Sequence, residues 1–398
     1  MSKPLLMVDF VARGHHALYI RHLVRFGLNR NENVFTLLIP RELCDRVLTQ
    51  LSPAETVPFL KRVRILEDDR AWRQIKRWIR RDNLARCLFV EYLNFFEGRT
   101  CTLFFLFFET VFYQVALSPL PRFNVSGLMF RPTFYYSRKG MLVGGARSRA
   151  VFLIKWVAAY ACAKRPGISR VLTLDPLAQE HARSRWNCQK FQAIPDPFGP
   201  EGGMPRPVGT AGGDPCRSLT LLIAGVLSAR KGIREVVQAL LYSPENIRRR
   251  VILVVVGEVD KRDASYVSES LRQLEESGGN VVDDLRLVTD DELDAYIERS
   301  DAVLTAYRGF KGSSGILIRA AHFGRPVIST DEGLLGYFVQ RHGLGKAIDV
   351  GDARALAACI ETFLSTGRLS GFDPATARHF ADNSDPELFV RNLLAIAG

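Results

Sequence analysis

An α/β protein made of two doubly wound halves is what the sequence predicts, on three observations. Short apolar strand-like runs alternate with helical stretches along most of the chain. A stretch dense in Gly and Pro, PFGPEGGMPRPVGTAGGDP from Pro197 to Pro215, interrupts them and can sustain neither regular element. Finally, 398 residues exceed what one core serves, while 47% hydrophobic and 24% charged residues exclude a disordered or fibrous class. Together these place a first domain at 1–200, a linker at 201–215, a second domain at 216–380 and a terminal helix at 381–398.

The first half opens with a strand from Leu5 to Phe10, a loop holding Gly14, His15 and His16, and a helix through Leu28. Strand-like runs recur at Val34 to Leu38, Leu88 to Glu91 and Val171 to Leu174, with aromatic-rich helices between them. In open α/β sheets ligands bind at the carboxyl ends of strands, which marks Gly14, His15 and His16 as a candidate site. Either imidazole could donate to an anion or take a proton; the alternative is packing at a helix start. Glu91, at the end of LFVEYL, is a further candidate base, and Asp175 reads as the cap of the next helix.

The second half begins with LTLLIAGVLSARKGIREVVQAL, a strand ending at Gly225, a loop with Lys231 and Gly232, then a helix. VILVVVGEVD is a buried strand ending at Gly257, and LVTDDELDAYIERSDAVLTAY a short acidic helix leading into a strand. Next comes AVLTAYRGFKGSSGILIRAAHFGRPVIST: a strand, a loop with Gly309, Gly312, Ser313, Ser314 and Gly315, a helix, and a second strand from Val327 to Ser329. A small-residue loop that opens a helix leaves backbone N–H groups pointing outward at the positive end of the helix dipole, a phosphate-binding arrangement. Its alternative is a tight turn with an N-cap. The chain ends with DNSDPELFVRNLLAIAG, where Ser384 or Asp385 caps a helix with Pro386 in its first turn and an apolar face of Leu388, Phe389, Leu393 and Leu394.

Charge is unevenly spread. Residues 1–200 hold 31 Lys and Arg against 15 Asp and Glu, a surplus of 16, whereas the rest hold 23 against 27. The surplus peaks around Arg73, Lys76, Arg77, Arg80 and Arg81, interleaved with Trp72, Ile75, Trp78 and Ile79 near helical spacing. Such a helix could lie on an anionic membrane surface or dock its Trp residues on the domain core. A basic chain also fits phosphate backbones, but no helix-turn-helix, zinc or RNA-recognition signature accompanies the charge, so no nucleic-acid partner is expected. Seven scattered cysteines without a Cys-x-x-Cys pair favour reduced thiols in a cytoplasm. The start shows no signal peptide, no apolar run is long enough to span a bilayer, and His15 and His16 lack a third ligand at metal-like spacing.

The four blocks of the second half, in order, resemble the donor-binding domain of retaining glycosyltransferases of family 4, which have the two-domain GT-B fold; the resemblance covers about Leu219 to Leu364. It implies two Rossmann-like domains with an interdomain cleft, and a C-terminal helix that crosses back to the first domain. It implies a nucleotide-diphosphate sugar as donor, with Lys231 at the position of a diphosphate-binding lysine and Gly14, Ser313, Ser314 and Gly315 beside the phosphates. An arginine common after the glycine is replaced by Val226, and Arg230 could substitute. Two glutamates that the family keeps eight positions apart, for sugar and ribose, are replaced by Lys311 and Arg319, and Glu332 could supply a carboxylate from the next loop. Three accounts fit that change: a donor mode in which the cations hold further negative charge, a shifted loop register, or loss of catalysis.

On the resemblance, the reaction is retaining transfer to an acceptor hydroxyl without a covalent enzyme intermediate, metal or cofactor. His15, His16 and Glu91 are the expected catalytic residues. The implied acceptor is a sugar, a glycan or a lipid-linked saccharide, met in the cytoplasm or at the inner face of the plasma membrane. A non-catalytic glycosyltransferase-like binding protein is the alternative that Lys311 and Arg319 leave open.

Overall fold

The computed structural model describes residues 5–12, 16–28, 35–68, 102–117, 124–139, 146–198, 218–310 and 312–395. It forms two compact units, Met1–Pro197 with Pro386–Gly398, and Phe198–Asp385. The linker expected at 201–215 lies outside the described residues.

The first unit is built on a seven-stranded sheet of order β3-β2-β1-β4-β5-β6-β7. Its strands are β1 (Leu5–Val8), β2 (Phe35–Ile39), β3 (Val63–Ile65), β4 (Thr102–Phe105), β5 (Val125–Met129), β6 (Ile168–Thr173) and β7 (Phe191–Ala193). Every pairing is parallel. Strands of such a sheet are covered on both faces and read as continuous apolar runs, as the fully buried β1, β4 and β5 do. The sequence reading placed two strand ends a residue or two too far, and β3, β4, β5 and β7 were not foreseen. In β5, Gly127 is required because a Cβ there would come 2.4 Å from the Phe108 ring. The helix Pro386–Leu394 buries Phe389, Val390, Leu393 and Leu394 in the same core as Leu5, Ile20 and Phe35. The chain terminus therefore completes the first unit. The basic stretch from Trp72 to Arg81 and the strand expected at Leu88 to Glu91 lie outside the described residues.

The second unit holds a six-stranded parallel sheet of order β10-β9-β8-β11-β12-β13. Its strands are β8 (Leu219–Ala224), β9 (Val251–Val256), β10 (Asn280–Asp284), β11 (Ala302–Thr305), β12 (Val327–Thr330) and β13 (Gly345–Ile348). Its core joins β8, β9 and β11 side chains to the buried faces of the helices Ile233–Tyr242, Ala264–Glu276 and Ala353–Thr366. In both sheets the chain direction of winding reverses beside the first strand, between β1 and β4 and between β8 and β11. Neighbouring loops there diverge to opposite faces and leave a crevice at the carboxyl edge, the usual ligand position in open α/β sheets.

Candidate functional site

At the switch point of the second unit β8 is followed by Gly225, whose φ of 97° suits a residue without a Cβ. A Cβ there would also sit 3.1 Å from Nζ of Lys231. Lys231 closes a short turn of 3₁₀ helix, Ala229–Lys231, and is only 5% exposed. The next residue, Gly232, has φ 73°, and a Cβ would overlap the Ala306 carbonyl oxygen at 1.9 Å. The turn is thereby pressed against the end of β11, which directs the Lys231 side chain back across the switch point.

There Nζ donates to the Ala224 carbonyl at 2.7 Å and to the Tyr307 hydroxyl at 2.8 Å, lying 4.4 Å from the Tyr307 ring centroid. Among the described residues no carboxylate forms an ion pair with it. A buried ammonium held only by neutral oxygens is costly unless an anion completes its surroundings. Tyr307 continues the chain of polar groups, its hydroxyl standing 3.5 Å from Oγ of Ser314. Ser314 is the N-cap of the helix Gly315–His322, so the first-turn N–H groups of that helix open beside the Lys231–Tyr307 pair. Gly315 is fixed by the Phe198 ring, which a Cβ would meet at 2.6 Å. Arg230 stacks its guanidinium 4.7 Å above the Phe310 ring on the same loop.

The other expected donor residues fall into three groups. Ser313, half-buried, and Ser314, buried, stand in the loop before the helix, as the sequence reading has them. Glu332 is exposed at the N-cap of the helix Gly333–Arg341, and the adjoining Gly333 approaches the Phe310 carbonyl, so its loop borders the same edge. Arg319 has a different occupation from the one expected. Its guanidinium pairs with Asp294 at 2.5 Å and Asp290 at 2.6 Å, two carboxylates one turn apart on the helix Asp290–Arg299. Burial pushes the Asp294 carboxyl up, against the opposing pull of Arg319. Arg319 thus fastens two helices together. Lys311, Gly14, His15 and Glu91 lie outside the described residues.

At the switch point of the first unit β1 is followed by Asp9, a buried carboxylate that the sequence reading missed. Its Oδ1 accepts the Val11 N–H at 2.9 Å and its Oδ2 lies 2.5 Å from Nδ1 of His16. Because an ionised carboxylate only accepts, this contact puts the imidazole proton on Nδ1 and leaves Nε2 as the basic nitrogen. The ring is held against Phe107 at 4.6 Å and Phe130 at 6.3 Å between centroids. One turn on, Tyr19 donates to Asp196 at 2.7 Å, and burial raises its phenol well above the ordinary value. A strand-end Asp seven residues before a helix-start His was the available signal. Asp175 caps the helix Pro176–Trp186 through Leu177 N–H and Ala178 N–H, and also accepts from Tyr135. Among the described residues no group of three or more His, Cys, Asp or Glu could hold a metal ion.

No curated protein matches the chain by sequence. Residues 218–366 match the family described as Glycosyl transferases group 1. Among solved structures, HepE from Anabaena, in complex with UDP and glucose, superposes over 99% of this chain and 98% of its own with a TM-score of 0.63 at 14% identity. WaaG, a glycosyltransferase involved in lipopolysaccharide biosynthesis, aligns over 98% and 99% with a TM-score of 0.61 at 14% identity. Sucrose-phosphate synthase from Thermosynechococcus elongatus aligns over 99% and 96% with a TM-score of 0.60 at 17% identity. These likenesses agree with the two parallel sheets in fold, and the family match falls on the unit that carries Lys231, Tyr307 and Ser314. The chain therefore matches the family described as Glycosyl transferases group 1 over residues 218–366 and shares the two-sheet GT-B fold of these structures.

Proposed function

We propose that the protein transfers a sugar from a nucleotide-diphosphate donor to an acceptor hydroxyl, with the donor diphosphate seated at the switch point of the second unit. The observation that carries this reading is Lys231, a buried amine with two neutral partners beside an open helix N-terminus. A leaving diphosphate gains negative charge as the anomeric bond breaks, and prearranged donors aimed at it lower the barrier. Lys231, the first-turn N–H groups after Ser314 and the Ser313 hydroxyl supply that role; Lys311 and Glu332 are assigned to the sugar and ribose, and Gly14 to the phosphates. Arg319 drops out of the donor set because two carboxylates already hold it. UDP-sugars are the first donors to try, since HepE was solved with UDP and with UDP-glucose.

With fixed cations at the leaving group, the reaction needs no divalent metal and follows the retaining course, in which a departing phosphate oxygen takes the acceptor proton. The Asp9–His16 pair favours a second course. An imidazole whose Nδ1–H is tied to a carboxylate is a competent base at Nε2, and a base-assisted attack inverts the anomeric centre. His16, with His15 and Glu91, is the acceptor-side group in either course. The acceptor is a glycan or lipid-linked saccharide met at the membrane surface, a reading supported by the basic first half and by the role of WaaG in lipopolysaccharide biosynthesis.

A thermal-shift and turnover panel of UDP, GDP, ADP and TDP sugars tests the proposal. A shift and slow hydrolysis with one donor, both lost in Lys231→Met, is the expected result. Silence across the panel removes the donor site, and unchanged turnover in the variant removes Lys231. The anomeric coupling constant of the product, read by proton NMR, decides between the two courses.

A further inference from the structure

The helix Ala146–Lys164, ARSRAVFLIKWVAAYACAK, is apolar on two sides. Its inner face buries Ala158, Ala159, Cys162 and Ala163. On the outer face Leu153, Ile154, Val157 and Tyr160 recur at three- and four-residue spacing and are 59%, 55%, 45% and 40% exposed, with Val151 at the edge. A helix that is apolar all round is normally enclosed, and a contiguous exposed apolar strip marks a surface that something covers. The chemistry of the cover is written in the rest of the helix. It carries no Asp or Glu among its 19 residues, and the exposed Arg149 and Lys164 stand four residues before Leu153 and four after Tyr160, in line with the apolar strip, whereas Lys155 is turned to the Thr133 hydroxyl. Trp156 and Tyr160 stack with their rings 2° from parallel, side chains suited to the boundary between acyl chains and head groups.

We infer that this outer face is a docking surface for an anionic lipid bilayer, with Leu153, Ile154 and Val157 entering the acyl boundary and Arg149 and Lys164 meeting the head groups. A water-exposed protein partner would need acidic residues to match the same cations; a bilayer containing acidic lipids offers both halves of the complement at once. No helix among the described residues is long and apolar enough to cross a membrane, so the contact is peripheral. The inference rests on the reading above that the acceptor is met at a membrane, and it adds the surface and the lipid class.

The test is co-sedimentation of the full chain with phosphatidylcholine vesicles, with and without phosphatidylglycerol, at low and high salt. Wild type is expected to bind only the acidic vesicles and to be released by salt. Replacing the exposed pair, L153D with I154D, is expected to lower the partition coefficient about tenfold or more while thermal unfolding stays at the wild-type temperature. An Arg-to-Ala set at Arg73, Arg77 and Arg80 separates this surface from the other basic stretch.

If wild type and the Asp variant bind equally while the Arg-to-Ala set does not, the membrane reading stands and the helix is the wrong surface. If wild type binds no acidic vesicle at low salt, both readings fall. Hydrogen exchange of residues 150–161 completes the set. Protection gained on adding acidic vesicles supports the inference. Protection already present in the free monomer means the chain covers the face itself, and protection that grows with protein concentration means a second copy does; either overturns it.

Discussion

The two units wind in the same strand order yet bury opposite charges. The first half of the chain carries a surplus of sixteen positive charges, but its carboxyl edge buries Asp9, Asp175 and Asp196, just past the ends of β1, β6 and β7. The second half is net negative by four, and its switch point buries Lys231. Net charge and site charge therefore run in opposite senses. The physical reason is distance and dielectric: surface charges are solvated and screened within about 10 Å, whereas a buried group acts at full strength on whatever touches it. Surplus charge tells which surfaces a unit offers to large partners, while the few buried groups tell what chemistry it can do.

The largest effect should come from removing the buried cation of the second unit. Lys231→Met keeps the length of the side chain and loses the donor, so kcat should fall by about 10²–10³-fold. Unfolding should shift little or even upward, because an uncompensated buried charge has been replaced by an apolar chain. Activity lost together with stability would instead mean that Lys231 is a structural strut for β11.

Next comes the buried carboxylate farthest from water in the first unit. Burial raises the Asp175 carboxyl from 3.8 to about 6, against the opposing bonds from Tyr135, Leu177 and Ala178. Because the folded value is the higher one, the folded state holds its proton longer than the unfolded chain. The associated stability is present below pH 3.8 and is lost as pH rises to about 6. Asp175→Asn preserves an acceptor for the cap and lacks this titration. From acid to neutral pH, urea unfolding should show the variant gaining about 3 kcal/mol on wild type. Parallel curves would show that Asp175 is an ordinary carboxylate.

Arg319 separates structural from donor-binding charge within the second unit. In Arg319→Ala the Asp294 carboxylate, 15% exposed, loses its partner, and stability should fall by about 2 kcal/mol. The donor KM should stay at the wild-type value. A raised KM at unchanged stability would return Arg319 to the donor.

Much of this second unit was legible in the sequence, because β8, β9, β11 and β12 are short, unbroken apolar runs that end beside glycine or small residues. The first unit was harder to read: β4 and β5 lie in phenylalanine-rich sequence that carries no alternation and no punctuation near β4. Within the site, Lys231 and the Ser314 loop could be found from local pattern, but Tyr307 could not. It meets Lys231 across 76 residues, through the adjacency of β8 and β11 that only the sheet order reveals. The Arg319 pairs were hidden for the same reason, since the helix Asp290–Arg299 supplies its carboxylates from 25 and 29 residues away. Periodicity shows which residues face a core, and it is silent on which two faces meet.

The smallest expected effect bears most directly on the comparison, because it asks whether the buried negative charge of the first unit serves chemistry as the buried positive charge of the second does. Asp9 touches His16 alone among imidazoles and fixes its tautomer, so it acts as a positioning residue. Asp9→Asn keeps the shape but can present an N–H to Nδ1, moving the proton to Nε2 and removing the base. If His16 takes the acceptor proton, Asp9→Asn and His16→Gln should each lower kcat by about tenfold, and the double variant should lose no more than either alone. If instead a departing phosphate oxygen takes that proton, the variants should raise acceptor KM and leave kcat in place. In that event the first unit's buried carboxylates are there to order loops, and the chemistry belongs to the second unit.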